Sequence, residues 1–353
     1  MSRVFETVKI GALELPNRLV MSPMTRSRAA EGGVPTALNA QYYAQRASAG
    51  LIITEGTQPS AVSQGYLSTP GLHTAEQVDG WRLVTDAVHR EGGRIFAQIM
   101  HAGRIGHPDI TGHNPKAPSR VRAAGSTYTA EGPKDHGVPD ELTIEEIGRT
   151  VEDFVAAARN AVAAGFDGVE LHGANGYLLQ QFLSDNANLR TDSYGGSPDN
   201  RIRFVVEVVT AVAGAIGAER TGLRLSPGNT YNDLVESDPA AVYLPLVRAL
   251  EPLGLAYLHL NAAATEPALV DAIRAAFSGP LLVNSYATGP LADLDAAEAW
   301  LERGVDAVVY GRAFLANPDL VERLRTGAEL NAPDESSFYG GTHVGYTDYP
   351  KAA

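Results

Sequence analysis

The segment AAGFDGVELHG at residues 163–173 brings an alanine-rich helical pattern, a glycine and a short apolar run into immediate succession. A glycine that follows a helix end is the usual C-cap, and an apolar run of this length is typical of a strand buried on both faces of a parallel sheet. The same order recurs in RASAGLIITEG at 46–56 and in ERGVDAVVYGR at 302–312. These three segments predict repeated units in which a helix leads into a buried strand.

Short apolar runs, eight in total, are separated by helical patterns along the chain. They are LVMSP near 19, LIITE near 51, RIFAQI near 94, FDGVELH near 166, TGLRLS near 221, AYLHL near 256, PLLVN near 280 and VDAVVYG near 305. Strands that alternate with helices form parallel β/α units, and eight such units fill a closed barrel. We therefore predict an α/β fold of the (β/α)8 TIM-barrel type, with residues 1–353 as a single domain.

Residues 101–142 interrupt this regular spacing after the third predicted strand. The segment is rich in Pro and Gly and shows little periodicity. Because long excursions from a compact domain commonly serve as lids or binding loops, we predict a lid or capping insertion, with a disordered surface insertion as the alternative. The Gly- and Tyr-rich stretch at 337–350 is predicted either to fold back over the barrel mouth or to form a mobile tail.

The composition narrows the classes of function. The 353 residues include 28 Lys and Arg against 41 Asp and Glu, a net charge of −13, whereas a nucleic-acid partner would need a basic surface. The absence of Cys removes thiolate nucleophiles, disulfides and Cys-bound metals. No run approaches the about 18 apolar residues of a membrane span. We expect a cytoplasmic protein, a monomer or homo-oligomer, without membrane or nucleic-acid partners.

Polar residues and glycines cluster where the predicted strands end, which is where barrels of this type build their active sites. Arg224 lies between two leucines in a buried strand, so its guanidinium needs either an anionic or polar ligand or a structural ion pair with a core carboxylate. Gln98 offers a hydrogen-bond donor and an acceptor to a ligand from an apolar strand. A core Gln whose hydrogen bonds are all made within the protein explains the sequence equally well. Gly311 and Arg312, with the turn after Asn284, occupy the usual phosphate position. Together they predict a planar, hydrogen-bonding, phosphorylated cofactor.

The segment HGANGYLL, immediately after the fourth predicted strand, carries His172, Asn175 and Tyr177. Two side chains three apart on such a turn can converge on one acceptor oxygen, with a phenol nearby as proton donor. A capping Asn beside a buried His and a packing Tyr is the structural alternative. The sequence has no HExxH, HxH, GxSxG, GxGxxG or GK motif, and none of its four lysines ends a predicted strand. We therefore predict no metal site and disfavour serine hydrolases, P-loop enzymes and Schiff-base aldolases.

Six segments, taken together, resemble the Old Yellow Enzyme family of flavin-dependent ene-reductases. They are MSPMTRSR (21–28), TEGTQPSAVSQGYLSTPGLH (54–73), AQIMHAGRIGHP (97–108), HGANGYLLQQFLSDNANLRTDSYGGSPDNRIRF (172–204), YGRAFLANPDL (310–320) and FYGGTHVGYTDYP (338–350). The resemblance extends over nearly the whole chain and is most specific at 172–204. It implies a barrel that binds FMN non-covalently and reacts by a ping-pong mechanism with NADPH or NADH.

The resemblance implies a set of FMN contacts. Thr25 resembles the hydroxyl that binds the flavin C4 carbonyl, Gln98 would read the pyrimidine edge, and Arg224 would lie at N1 and the C2 carbonyl. The remaining implied contacts are Pro23 and Gly56 beside the ring, and Ser285, Tyr286, Gly311 and Arg312 at the phosphate.

The resemblance also implies the reaction. Hydride passes from the nicotinamide to FMN N5 and on to the β-carbon of an α,β-unsaturated ketone, aldehyde, imide or nitroalkene, so the implied partners are small activated alkenes. His172 and Asn175 resemble the pair that binds the substrate oxygen, and Tyr177 resembles the donor that protonates the α-carbon from the opposite face. The other residues implied on the substrate side are Tyr66, Tyr339 and Met100, which stands where many relatives have Trp.

Two other classes of function stay open. A non-redox barrel lyase or isomerase would bind a phosphorylated substrate at Gly311 and Arg312 and use His172 and Tyr177 as acid and base. A flavin-binding protein without turnover would hold the cofactor but stay unreactive toward electron-poor alkenes.

Overall fold

Eight parallel strands close into a barrel in the computed structural model, which describes residues 2–284 and 291–352. The strands are β1 (Leu19–Met21), β2 (Leu51–Ile53), β3 (Ile95–Ile99), β4 (Gly168–Gly173), β5 (Thr221–Leu225), β6 (Tyr257–Asn261), β7 (Leu281–Asn284) and β8 (Ala307–Tyr310). Each strand pairs with its neighbours in chain order, and β8 pairs with β1 to close the ring. All eight coincide with the apolar runs quoted above, so the predicted TIM barrel is confirmed.

A main helix follows each strand on the outside of the barrel. These helices are α1 (Ala37–Ala44), α2 (Ala75–Arg90), α3 (Ile144–Ala163), α4 (Pro198–Ile216), α5 (Pro239–Leu250), α6 (Pro267–Ala276), α7 (Leu294–Glu302) and α8 (Leu320–Thr326). Shorter helices lie in the loops at Pro108–Thr111, Leu178–Leu183 and Arg312–Ala316. Single 3-10 turns occupy Arg3–Phe5, Glu31–Gly33, Ala61–Ser63, Gly103–Ile105, Ala218–Arg220, Glu251–Leu253, Ala262–Ala264 and Glu335–Ser337. None of the helices in the described part of the chain has the length and apolarity needed to span a bilayer.

Local sequence signals determine where the helices begin. At α3, the Thr143 side chain accepts a hydrogen bond from the Glu146 N–H, and the Glu146 carboxylate accepts one from the Thr143 N–H at 2.8 Å. This reciprocal cap satisfies two N–H groups that the first turn would otherwise leave unpaired. Helices α4, α5 and α6 each begin with Pro, whose missing N–H is harmless in the first turn. These starts fix the lengths of the loops that precede the helices at the barrel mouth.

The two ends of the barrel interior differ in polarity. At the N-terminal end, the antiparallel pair Val8–Ile10 and Leu13–Leu15 packs its apolar side chains against the inward residues of the lower barrel. Nearer the C-terminal ends of the strands, Arg224 of β5 lies in register with His172 of β4 and His259 of β6. The polar layer therefore lies at the end of the barrel where TIM-barrel enzymes carry out their chemistry.

Residues 101–142, which we name the cap, pack over one side of the barrel mouth. The cap contains an antiparallel pair, Ser126–Thr129 with Gly132–Asp135, and a short parallel pair, Lys116–Ala117 with Asp140–Glu141. Its Ile105 and Ala123 belong to one buried apolar cluster with Met100 and Tyr177. The cap therefore contributes directly to the surroundings of two predicted site residues.

Residues 337–347, which we name the C-terminal strap, run back to the barrel mouth. The Arg26 guanidinium donates a hydrogen bond to the Gly345 carbonyl at 2.8 Å. Arg28 donates to four further carbonyls of the strap. The ring of Tyr346 is fully buried and stacks on Tyr42 with 4.0 Å between ring centroids. Of the two arrangements predicted for this stretch, the structure has the one that folds back over the mouth.

Candidate active site

A cavity of about 420 Å³ opens at the C-terminal ends of the barrel strands. Most of the predicted site residues line it, namely Pro23, Thr25, Gly56, Gln98, Met100, His172, Asn175, Tyr177, Arg224, Gly311, Arg312 and Tyr339. Tyr66 lies beside this lining and is hydrogen-bonded to the Tyr177 hydroxyl. Ser285 and Tyr286, the other two predicted residues, lie outside the described residues. The fold therefore gathers positions from six strand ends and from the strap around one space.

The loop after β1, which carries Thr25, is held by a buried carboxylate. One oxygen of Glu55 accepts hydrogen bonds from the backbone N–H groups of Arg26 at 3.1 Å and Ser27 at 3.3 Å. Burial raises the pKa of the Glu55 carboxyl, and these N–H donors and the Arg26 charge oppose that shift. The backbone directly after Thr25 is therefore fixed at the cavity wall.

Close contact between Gly56 and Met100 shapes the neighbouring wall. A Cβ atom built on Gly56 would lie 2.7 Å from the Met100 sulfur, which is closer than real Cβ contacts allow. Only glycine therefore lets Met100, itself buried, lie against this backbone. Gly56 and Met100 both line the cavity, so this close contact sets the position of the wall.

A buried hydrogen-bond chain crosses the barrel interior beneath the cavity. The Gln98 amide N–H donates to one oxygen of Glu170 at 2.8 Å, and the other oxygen is 2.8 Å from His259 Nδ1. Burial alone would raise the pKa of Glu170, but His259, Arg224 and Gln98 outweigh it and lower the pKa, so the carboxylate is ionised. In the described part of the chain the Gln98 carbonyl oxygen and its second amide hydrogen have no partner, so both can bind a ligand.

Arg224 keeps unused donors next to the cavity. Its Nη2 donates to Asn284 Oδ1 at 3.3 Å, and the Asn284 amide donates to the Val309 carbonyl at 2.7 Å. Across residues 2–284 and 291–352, Arg224 forms no salt bridge, and its buried Nε has no hydrogen-bond partner. The predicted alternative of a structural ion pair is therefore not seen in these ranges. An unpaired buried guanidinium nitrogen calls for a polar or anionic ligand.

The turn after β4 sets the directions of the catalytic candidates. Asn175 has a left-handed backbone with φ of 54°. Its N–H donates to Ser226 Oγ at 2.8 Å, and its carbonyl accepts from the Asn232 amide at 2.8 Å. These two contacts maintain a conformation that costs a non-glycine residue energy. The residue before the helix Leu178–Leu183 is Tyr177, so Asn175 is not its N-cap, and the capping alternative is wrong.

The protonation states of His172 and Tyr177 follow from their burial. Burial, followed by the charges of Arg224 and His259, holds the pKa of His172 well below its usual value, so the imidazole is neutral. Its Nδ1 is buried and has no hydrogen-bond partner among the residues that the structure describes. Burial also raises the pKa of Tyr177 well above its usual value, so the phenol keeps its proton. The cavity wall therefore combines a neutral imidazole with a protonated phenol.

The opposite end of the cavity carries a cation. Arg312, which follows Gly311 directly after β8, is more than half exposed and forms a 3.1 Å ion pair with Glu335. Its guanidinium lies over the Phe338 ring of the strap, 5.7 Å from the ring centroid. This exposed guanidinium is accessible to a phosphate at the cavity edge.

Sequence reasoning missed several residues of the site. Further lining residues are Met24, Asn229, Tyr231, Asn261, Leu315 and Phe338. The sequence does contain a signal for two polar residues of the barrel interior, Glu170 and Asn261. Glu170 is two residues before His172, and Asn261 is two residues after His259. Alternate residues of a strand share one face, so these positions point to the same interior. No comparable signal marked the loop residue Tyr231.

The residues present fit a planar, phosphorylated cofactor. The orphaned Arg224 Nε and the free groups of Gln98 match the polar edge of a flavin, and the exposed Arg312 guanidinium matches a phosphate. The closed barrel and this site together define a flavin-dependent oxidoreductase of the TIM-barrel class. A family model agrees over residues 3–331, and the chain belongs to the NADH:flavin oxidoreductase / NADH oxidase family.

Relatives and solved structures agree over nearly the whole chain. A probable flavin mononucleotide-dependent alkene reductase of Leishmania infantum is 45% identical, covering 97% of this chain and 95% of its own length. The 12-oxophytodienoate reductase 1 of Oryza sativa subsp. japonica is 44% identical, covering 97% and 91%. The structure of morphinone reductase in complex with tetrahydroNAD gives a TM-score of 0.95 at 44% identity, covering 99% and 98%. The old yellow enzyme homologue from Zymomonas mobilis gives 0.95 at 41% identity, covering 98% and 99%.

Family membership decides between the classes of function left open by the sequence. The resemblance to the Old Yellow Enzyme family is confirmed, and so is the prediction of an NAD(P)H-dependent flavin oxidoreductase that uses FMN. The alternative of a non-redox lyase or isomerase does not agree with this family.

Proposed function

We propose that this protein reduces the carbon–carbon double bond of small activated alkenes, namely α,β-unsaturated ketones, aldehydes, imides or nitroalkenes, with NADPH or NADH as the electron source. Bound FMN supplies the hydride chemistry that links the nicotinamide to the alkene. The observation that carries the proposal is the presence of His172, Asn175 and Tyr177 on one wall of the cavity, with a neutral imidazole and a protonated phenol.

His172 and Asn175 bind the oxygen of the substrate. Negative charge grows on a carbonyl or nitro oxygen as the conjugated double bond accepts hydride, and hydrogen-bond donors fixed beside that oxygen stabilise the charge. The Asn175 amide is held by a 3.0 Å hydrogen bond from Asn261, and His172 is 4% exposed, so water competes little for the oxygen. The pair therefore activates the alkene and orients it.

Tyr177 supplies the proton for the α-carbon. Because burial keeps its pKa high, the phenol is fully protonated at neutral pH and ready to donate. The Tyr66 hydroxyl, 2.8 Å away, is positioned to donate a hydrogen bond to the phenolate that remains. Hydride and proton arrive on opposite faces of the double bond, so net addition is trans.

The cofactor contacts follow the chemistry of the lining residues. Thr25 and Gln98 would hold the polar edge of the ring, and the Arg224 cation would stabilise negative charge at that edge. The full proposed set for non-covalent FMN is Pro23, Thr25, Gly56, Gln98, Arg224, Ser285, Tyr286, Gly311 and Arg312, with Ser285 and Tyr286 acting through backbone N–H groups.

The cap acts as a lid over the substrate end of this single-domain barrel. Ile105 and Ala123 pack in one apolar cluster with Met100 and Tyr177, which supports exclusion of water from the proton donor. On the substrate side, Tyr66, Met100 and Tyr339 complete the proposed lining. Met100 leaves more room than a Trp would.

Visible absorption of the purified protein under anaerobic conditions tests the proposal. We expect a flavin band that bleaches when NADPH or NADH is added and returns when 2-cyclohexenone is added. A band that bleaches but does not return with cyclohexenone, a maleimide or a nitroalkene would overturn the alkene-reductase assignment. That result would favour a flavin-binding protein without turnover.

A further inference from the structure

We propose that Asn261 is a positioning residue for the substrate oxygen, because it turns the Asn175 amide so that an N–H of Asn175 faces the cavity. Asn261 is the last residue of β6 and lines the cavity beside Asn175. The inference rests on the proposed function, since it concerns how the site comes to donate hydrogen bonds to a substrate oxygen.

A backbone N–H fixes the direction of the Asn261 amide. The Asn261 side-chain oxygen accepts a hydrogen bond from the Ala263 N–H at 3.4 Å and caps the turn Ala262–Ala264. A backbone N–H can only donate, so the group that faces it must be the oxygen. The Asn261 nitrogen is therefore directed elsewhere, and it donates to Asn175 Oδ1 at 3.0 Å.

The direction of the Asn175 amide follows from that second bond. Because Asn261 presents a donor, Asn175 has to present its oxygen, and its nitrogen is left for the cavity. If the Asn175 amide were reversed, its N–H group would face the N–H group of Asn261. Its oxygen would then face the substrate oxygen, and both contacts would be repulsive. An asparagine amide can otherwise take either direction, since its terminal torsion is broad.

The backbone of Asn175 leaves little other freedom. Its N–H is bonded to Ser226 and its carbonyl to Asn232, each at 2.8 Å, around a left-handed φ of 54°. With both backbone groups held, the side-chain amide of Asn175 can still take two directions. The hydrogen bond from Asn261 selects one of them. As a result, the Asn175 side chain presents a hydrogen-bond donor, and not an acceptor, to the cavity.

Two substitutions with opposite physical effects test the role of Asn261. In Asn261→Asp, one carboxylate oxygen still accepts from the Ala263 N–H and the other demands a donor, so the Asn175 amide reverses and shows its oxygen to the cavity. In Asn261→Ala, the amide of Asn175 becomes free to take either direction. The isosteric Asp is therefore the more harmful change, whereas a purely structural role would make Ala the more harmful one.

The measurement is the Kd of phenol for the FMN-loaded oxidised protein. Binding is monitored through the change in the flavin absorption spectrum. We expect the Kd to rise at least about tenfold in Asn261→Asp and about threefold in Asn261→Ala, in line with the value of one hydrogen bond. The KM for 2-cyclohexenone should rise in the same order, while the Kd of FMN, measured by flavin fluorescence, stays within about twofold of wild type.

Asn229→Asp controls for the added charge. Asn229 lines the same cavity, and its side-chain oxygen accepts from the Tyr231 N–H at 2.8 Å. Its substitution should weaken phenol binding less than Asn261→Asp does. An equal loss in both, or a larger loss in Asn261→Ala than in Asn261→Asp, would overturn the positioning role. If Asn261→Asp fails to hold FMN, Asn261→Ala decides alone, and a wild-type Kd for phenol then overturns it.

The same titration separates this inference from the proposed function. A wild-type protein that neither binds phenol nor reduces the enone would contradict the alkene-reductase assignment itself. A wild-type protein that does both, with variants that bind phenol unchanged, would contradict only the role of Asn261.

Discussion

The hydroxyl of Tyr66 lies 2.8 Å from the hydroxyl of Tyr177, and the two rings meet edge to face with 6.4 Å between centroids. Burial raises the pKa of both phenols, so both are protonated at neutral pH. Each hydroxyl can donate or accept, and Tyr66 can therefore donate to Tyr177 while the Tyr177 proton points toward the cavity. This geometry gives the proton donor a partner from outside its own loop.

Tyr177→Phe separates the two half-reactions. Removing the phenol takes away proton donation to the alkene but leaves reduction of the flavin untouched. We expect reoxidation by 2-cyclohexenone to slow at least about 100-fold, and flavin reduction by NADPH to change less than about twofold. Stopped-flow absorbance of each half-reaction provides the measurement. Equal slowing of both half-reactions would contradict the role of Tyr177. The control is Tyr66→Phe, which keeps the Tyr177 proton and should slow reoxidation less than Tyr177→Phe does.

His172→Ala tests the binding of the substrate oxygen. The variant removes one donor to an oxygen that carries partial negative charge, so the Kd of phenol and the KM of the enone should rise roughly 10- to 100-fold. FMN should stay bound, because the proposed flavin contacts are elsewhere on the cavity wall. Spectral titration with phenol and flavin fluorescence after gel filtration measure the two effects. Loss of FMN from the variant would make His172 a structural residue instead.

Arg312 and Glu335 should change FMN affinity in opposite directions. Arg312→Ala removes the cation at the phosphate end, and the Kd of FMN should rise about tenfold. Glu335→Gln removes the carboxylate that now occupies the Arg312 guanidinium at 3.1 Å, and FMN should bind up to about fivefold more tightly. Both values come from fluorescence titration of apoprotein. Riboflavin, which lacks the phosphate, provides the control, and its affinity should be unaffected by either substitution.

Glu146 links the stability of the cap side of the barrel to pH. The Thr143 N–H, followed by the Lys116 ammonium, lowers the pKa of Glu146 from 4.5 to about 2. A folded-state pKa below the unfolded value stabilises the protein above pH 4.5, and this stabilisation is lost as the pH falls from 4.5 toward 2. Glu146→Ala should therefore lower the free energy of unfolding by about 1 kcal/mol at pH 7 and by less at pH 3.

Urea unfolding at the two pH values measures this difference. Glu145→Ala is the matched control, because Glu145 lies in the same first turn but its exposed carboxylate pairs with the exposed Arg149. Its loss should stay below about 0.5 kcal/mol at both pH values. A Glu146→Ala effect that does not shrink at pH 3 would rule out the carboxylate charge as its source.

The fold was largely predictable because the barrel strands are buried on both faces. Continuous apolar runs such as LIITE and PLLVN stand out from the helical patterns around them, and eight of them leave few alternatives. Position along the strand also predicted which residues line the cavity, since Gln98, Arg224 and Arg312 lie at or near strand ends that the closed barrel brings together.

The remaining features depend on contacts distant in sequence. The link between Asn261 and Asn175 joins residues 86 positions apart, and the chain through Glu170 joins β3, β4 and β6 inside the barrel. No local pattern in the sequence encodes which of several inward polar residues meet. Likewise, the path of the strap depends on its hydrogen bonds with Arg26 and Arg28. The sequence around these arginines does not indicate that they contact residues 337–347.

The strap also bears on how the protein is made. Phe338 and Tyr339 form part of the cavity wall, yet every barrel strand precedes them in the chain. During synthesis all eight strands therefore leave the ribosome before this wall does, and Arg26 and Arg28 lack their strap carbonyls until the strap emerges. A purified chain that ends at Asp334 should retain FMN more weakly than the full chain, and equal retention would contradict the contribution of the strap to the cavity. The cofactor cavity is thus complete only after the strap has been synthesised, later than every strand of the barrel.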